Sequence, residues 1–129
     1  MHALIYEQFN PLIVAYSGFF KQRGFQVFAT KELDEAWQVY LDDKPALVVA
    51  KYEAIAGHQA ESGLVLLKKI RYEANDWQTP CLVIGFNIHR ADEMALAALR
   101  PLAILRQPFG QAALDTRLSD LGLMKERDD

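Results

Sequence analysis

Lys51 is the residue whose position raises a question of chemistry. It closes the run PALVVAK, residues 45–51, an apolar stretch entered through Pro45 that reads as a strand buried on both faces of a parallel sheet. The last side chain of such a strand points into the crevice beyond the sheet, where α/β proteins keep their reactive groups. A desolvated lysine there could form a Schiff base with a carbonyl compound, a reaction that needs a depressed amine pKa and a neighbouring acid–base pair. The sequence supplies no such constellation, and no catalytic residue is assigned. His58 and His89 fall on loops at the same edge and raise the alternative of a metal or a phosphoryl group. Their separation, and the lack of Cys or carboxylates at ligand spacing, read instead as solvated loop histidines.

The elements that must position Lys51 alternate along the chain. ALIY (3–6) is a short apolar strand, and the turn EQFNP comes next, with Asn10 as helix cap and Pro11 in the first helical position. The first helix runs to Gly24, a left-handed stop, with Leu12, Ile13, Tyr16, Phe19 and Phe20 at three- and four-residue spacing. FQVFA (25–29) is the second strand. Thr30 caps a second helix carrying Leu33, Ala36, Trp37, Tyr40 and Leu41 on one side, and DDKP ends it ahead of the third strand, ALVVA. The loop YEAIAGHQAES, about a dozen residues, is longer than connections in such units usually are. A third helix opens near Gly63 with Leu64, Leu67 and Ile70 inward and Lys68, Lys69 and Arg71 outward. NDWQTP leads into the fourth strand, CLVIGF; ADEMALAALR is the fourth helix; PLAIL begins the fifth strand at Pro101; QPFG turns the chain into a last helix with Ala113, Leu114, Leu118 and Leu121 inward. Phe19, Phe20, Phe25, Phe28 and Trp37 read as core, whereas Trp77, in a polar turn at the opposite end of the sheet from the crevice, is a candidate partner contact.

Five strands alternating with five helices make a doubly wound five-stranded parallel sheet of the α/β class, with right-handed crossovers. One domain over residues 1–123 is expected, and after it a polar tail, 124–129, in which KERDD is too polar to pack. A chain of 129 residues, 51% apolar, buries a core of ordinary size without staples. Fourteen Lys and Arg against seventeen Asp and Glu leave a net charge of −3, with no basic block to neutralise a phosphate backbone, which argues against nucleic-acid binding. The single cysteine, Cys81, has no partner for an internal disulfide and reads as a buried, inert thiol in a reducing cytoplasm. No charged-then-apolar leader opens the chain, and its apolar stretches fall far short of the roughly 20 residues that span a bilayer, so a cytoplasmic protein with no membrane segment is expected.

From Ala3 to Leu123 the sequence resembles the receiver domain of bacterial response regulators, the CheY-like (βα)5 domains of flavodoxin-like fold. The resemblance rests on PALVVAK with GLVLLKKIR after it, on TPCLVIGF, and on the PFG that opens the last helix. It implies a pocket at the carboxyl ends of the strands in which an aspartate after strand three takes a phosphoryl group, an acidic pair after strand one holds Mg²⁺, a Thr or Ser stands after strand four, and a Lys after strand five. Here those positions are Lys51, Glu7 with Gln8, Gly85 and Gln107, and the aromatic switch position of strand five is Ile104. An ammonium group neither forms an acyl phosphate nor ligates Mg²⁺, so this reading carries no metal and no cofactor. Glu53 and Glu61, in the long loop, are surface carboxylates or substitute acceptors. A flavodoxin-like cofactor is disfavoured, since EQFNP offers no cradle for a phosphate.

The resulting expectation is a degenerate receiver, not an enzyme, that acts in bacterial two-component or phosphorelay signalling without phosphorylation, through protein–protein interaction. Lys51 is expected to pair with Glu7 across adjacent strand ends, since an unpaired lysine in a half-buried crevice would be costly. The partner would be a signalling kinase or an output protein, or a second copy, docked on the face formed by helix four, strand five and helix five, where Arg100, Arg106 and Arg117 lie. The alternatives are a small-molecule sensor using the crevice at Glu7, Lys51 and Gln107, or a receiver phosphorylated at a non-standard residue.

Overall fold

The computed structural model describes residues 1–53 and 62–124, so His58 and Glu61 lie outside the described residues, as does the KERDD tail. In chain order the elements are β1 (His2–Tyr6), α1 (Asn10–Gln22), β2 (Gln26–Thr30), α2 (Leu33–Asp43), β3 (Leu47–Lys51), α3 (Gly63–Lys68, continuing as a π-helical turn over Lys69–Glu73), β4 (Cys81–Gly85), α4 (Arg90–Ala97), β5 (Leu102–Arg106) and α5 (Gln111–Asp120). The strands form one parallel sheet in the order β2-β1-β3-β4-β5, the doubly wound arrangement expected.

Side chains alternate across each strand, so a sheet buried on both faces feeds two cores. Leu4, Tyr6, Val48, Ala50 and Val83 point to one side, where Ala36, Tyr40, Leu66, Leu67 and Leu96 of α2, α3 and α4 cover them. Ile5, Val49, Leu82 and Ile84 point to the other, beneath Tyr16 and Phe20 of α1 and Leu114 and Leu118 of α5. Deleting any of these large side chains would cost about 2–5 kcal/mol. Leu123 and Met124 pack against this second layer.

Several local expectations are corrected. Phe9, not Asn10, is the cap residue of α1, and its carbonyl accepts from Leu12 and Ile13 N–H with no side-chain cap; the helix ends before Gly24, which takes φ +87° as a left-handed stop requires. Thr30 Oγ1 accepts from Glu32 N–H at 3.1 Å but does not cap α2, whose cap position is Glu32. Phe28 is 41% exposed because β2 is an edge strand with thin cover, and Leu41 and Ala113 also face out of their helices. Arg71 is the largest departure: an unbroken α-helical stripe would put it in solvent, and it is fully buried. The π-helical turn is the reason. An extra residue in a turn rotates the next part of the helix by about 100°, which brings the consecutive Ile70 and Arg71 both inward.

Among the described residues, buried Arg71 has no carboxylate partner. Its guanidinium donates to the carbonyls of Leu99 (2.8 Å), Asp76 (2.9 Å), Thr79 (2.9 Å) and Pro101 (2.9 Å), and reaches Cys81 Sγ at 3.4 Å. Five fixed donors on a planar fork thus satisfy carbonyls of two connections, the one before β4 and the one before β5. Burial pushes the Cys81 thiol up to about 12, keeping it the neutral, inert group expected.

Candidate functional site

The register of the strands assembles the crevice. Tyr6 lies opposite Ala50, and Lys51 opposite Ile84, so one residue further Glu7 stands level with Lys51. Gly85 lies opposite Arg106, and Gln107 N–H continues the ladder to Gly85 O at 2.9 Å. Because Ala50 faces the α2 side, Lys51 and Glu7 turn to the α1 side, towards Tyr16.

There Lys51 Nζ stands 3.3 Å from Glu7 Oε1, with the two side chains 6% and 1% exposed. The expected ion pair is present. Glu7 Oε2 accepts from Gln8 N–H at 2.9 Å, and the Phe86 ring lies 5.2 Å from Nζ, so the ammonium is covered on a further side by a π face. Gln107 Nε2 donates to Tyr16 Oη. Burial, then the nearby charge of Glu7, pushes the Tyr16 hydroxyl well above its ordinary range, which keeps it neutral.

Glu53, read from the sequence as a surface carboxylate or a substitute acceptor in the long loop, reaches into this crevice. Its Oε1 accepts from Phe86 N–H at 2.5 Å, and its carboxylate lies directly over Gly85. A Cβ at position 85 would stand 3.1 Å from Glu53 Cδ and closer still to Oε2, so only glycine leaves room for this carboxylate. The neighbouring Tyr52 donates its hydroxyl to Asp92 Oδ1 at 2.8 Å, and Asp92 Oδ2 accepts from His89 N–H at 2.8 Å at the start of α4. Burial and the bond to Asp92 raise Tyr52 to about 12, whereas the His89 N–H and the Tyr52 hydroxyl hold Asp92 below its usual range. His89 is thus the exposed, extended cap residue of the loop that leads into α4. Among the described residues, Gln8 Oε1 and Nε2, Gln107 Oε1 and Glu53 Oε2 of this region are buried with no hydrogen-bond partner.

The oxygen set that a Mg²⁺ ion needs is not assembled here. Glu7 is committed to Lys51 and to Gln8 N–H, position 8 carries an amide, and an ammonium stands at the head of β3. Among the described residues no group of three His, Cys, Asp or Glu could hold a metal ion. No helix among them is long and apolar enough to cross a membrane.

A second concave feature, a groove of about 920 Å³, runs between α4, β5 and α5. Met94, Ala97, Leu102, Ile104 and Leu121 supply its apolar lining, and Ile104 is half-buried there. Arg100, Arg106 and Arg117 all line it, together with Arg90. Arg106 pairs with Glu93 and donates to Ile88 O at 3.2 Å, while Arg117 donates to Ile104 O and Asp120 Oδ2, both at 2.9 Å. Trp77 is not among the residues that line either feature; it is 39% exposed and edge-on to Tyr72 with ring centroids 5.3 Å apart.

The sequence pattern brings Glu7, Gln8, Lys51, Gly85 and Gln107 to one sheet edge and names Glu53 without placing it over Gly85, but misses Tyr52, Phe86 and Asp92. The one signal for Glu53 is the glycine at 85, a missing side chain with space above it. No family model matches the chain, and no curated protein matches it. Solved structures do. The chemotaxis protein CheY4 of Vibrio cholerae is 15% identical, with 93% of this chain and 97% of that one aligned at a TM-score of 0.81. The BeF3-activated N-terminal receiver domain of RstA from Klebsiella pneumoniae is 16% identical over 92% and 96% of the two chains, TM-score 0.77. The receiver domain of the sensor histidine kinase PA1611 from Pseudomonas aeruginosa, solved with a magnesium ion in its active-site cleft, is 16% identical over 94% and 97%, TM-score 0.76. At such identities the likeness is one of fold, and the fold of this chain is that of the CheY-like response-regulator receiver domains.

Proposed function

We propose that this chain is a receiver-like signalling module that takes no phosphoryl group and works by presenting its α4–β5–α5 face to a protein partner. One observation carries the reading: the crevice is filled from within. The Lys51–Glu7 ion pair occupies the strand ends where an acceptor carboxylate and a metal would be needed, and the Glu53 carboxylate lies over Gly85, bonded to Phe86 N–H. A fixed cation and a fixed anion stand where a switch would require exchangeable ones. Output then depends on when the partner is present, not on a covalent mark, and the module is not an enzyme. A cytoplasmic setting among kinases or output proteins of bacterial signalling fits this role.

The test is the intact mass after incubation with acetyl phosphate and Mg²⁺, beside a Gln8→Asp, Lys51→Asp, Gln107→Lys variant. An unmodified wild type is expected. A phosphate adduct on the wild type overturns the reading, and peptide mapping then decides whether Glu53 or another residue accepts.

The four unpartnered polar atoms beside Lys51 favour a second reading, a small polar ligand that enters when Glu53 moves aside. It predicts a ligand-dependent rise in Tm, which a pure interaction module lacks.

A further inference from the structure

We propose that β2 is a dimerisation edge, at which two copies of this chain join their sheets antiparallel about Phe28. β2 ends the sheet and pairs with β1 alone among the described residues. Gln26 N–H donates to Met1 O at 2.8 Å and Thr30 O accepts from Glu7 N–H at 3.1 Å, so Gln26, Phe28 and Thr30 turn their backbone groups towards β1. Those of Val27 and Ala29 point away from the sheet and have no partner among the described residues. A row of free donors and acceptors is a template for another strand, and proteins ordinarily guard it with charge, proline or a bulge. The far edge of this sheet has such guards, with Pro101 just before β5 and Arg106 at its end. From Phe25 to Thr30 there is neither a charge nor a proline, and the pairing of β2 with β1 runs without a bulge.

The same residues select a second copy as the occupant. With Phe28 on a twofold axis, Val27 of one strand faces Ala29 of the other, and Ala29 faces Val27. Both are hydrogen-bonded pairs, so every outward N–H and C=O of these residues is used. Phe28 then meets its own copy at the intervening position, where opposed side chains approach most closely. It is exposed and belongs to neither core, and an aromatic pair across the axis covers it. An extended segment of another protein could use the same backbone groups, but the strand has no charged side chain with which to select one, whereas the axis supplies complementarity by symmetry. Helix α2, which covers β1 on this face, carries exposed Asp34, Glu35, Asp42 and Asp43, and the axis brings these acids towards their copies at the rim. The dimer is therefore expected to tighten as salt screens them. β5 lies at the opposite edge, so α4, β5 and α5 of both copies stay uncovered.

The experiment is sedimentation equilibrium of the full chain from about 10 µM to about 1 mM, at low and raised salt, with Phe28→Lys and Ala29→Pro beside the wild type. Phe28→Lys sets a charge against its own copy across the axis. Ala29→Pro deletes an outward N–H and spares the bonds to β1. A wild-type dimer whose Kd falls on raising salt and rises at least about tenfold in both variants supports the proposal. Hydrogen exchange on the wild type gives a reading that does not depend on how the variants fold: the Val27 and Ala29 amides should exchange more slowly at the highest concentration than at the lowest. A monomer throughout the range overturns the proposal. So does a dimer in which Val27 and Ala29 exchange at the monomer's rate, since the copies then meet through another face.

Discussion

Lys51 and Gly85 show how two single residues decide what a crevice can do. An aspartate at the head of β3 would need a cation; a lysine there needs an anion, and Glu7 supplies it at 3.3 Å. Removing one partner of a buried pair strands the other charge, so Lys51→Ala is expected to lower stability by about 3–5 kcal/mol in urea titration. An unchanged midpoint would mean that the pair is solvated. Gly85 makes a complementary test, because a methyl group at this position meets the Glu53 carboxylate. Gly85→Ala should cost about 1–3 kcal/mol through overpacking, and most of that cost should vanish in a Glu53→Ala background. The same penalty in both backgrounds would show that Glu53 does not fill the site. Glu7 and Lys51 are legible in the sequence because each ends a buried strand whose direction and limit are clear. Glu53 is not, since it belongs to a loop, where no periodicity says which way a side chain turns.

At the scale of elements, short apolar runs, most of them bounded by Gly or Pro, locate all five strands, and spaced apolar residues locate the helices. The errors share a cause: periodicity assumes an ideal element in a uniformly covered place. Phe28 fails because an edge strand is covered on fewer sides, and Arg71 fails because a π-helical turn breaks the α-helical stripe. Arg71 then joins elements that are distant in the chain, by holding the carbonyls of residues 76, 79, 99 and 101. Arg71→Met removes the donor from the carbonyls of Leu99, Asp76 and Thr79, while Pro101 O keeps the N–H of Cys81, and is expected to destabilise by about 3 kcal/mol, given about 1–3 kcal/mol for each group left unsatisfied. Arg71→Lys should recover only part of this, as one ammonium cannot span the fork. If thermal melts of Arg71→Met match the wild type, the carbonyls have found other donors and Arg71 is not the clamp of this edge.

For the whole molecule, the sheet keeps the crevice and the groove on separate features yet joins them through short contacts. The end of β3 reaches α4 through Tyr52 and Asp92, and reaches the end of β4 through Glu53 and Phe86. β5 reaches the same segment through Arg106, which bonds Ile88 O and pairs with Glu93. The strand order also has a temporal side. β1, β2 and β3 are neighbours in one half of the sheet, and all of them lie within residues 2–51. A chain emerging from the ribosome amino end first therefore holds both members of the Lys51–Glu7 pair before Gly85 or Gln107 has been synthesised, and the residues of β4 and β5 arrive at an edge whose charges already have partners available.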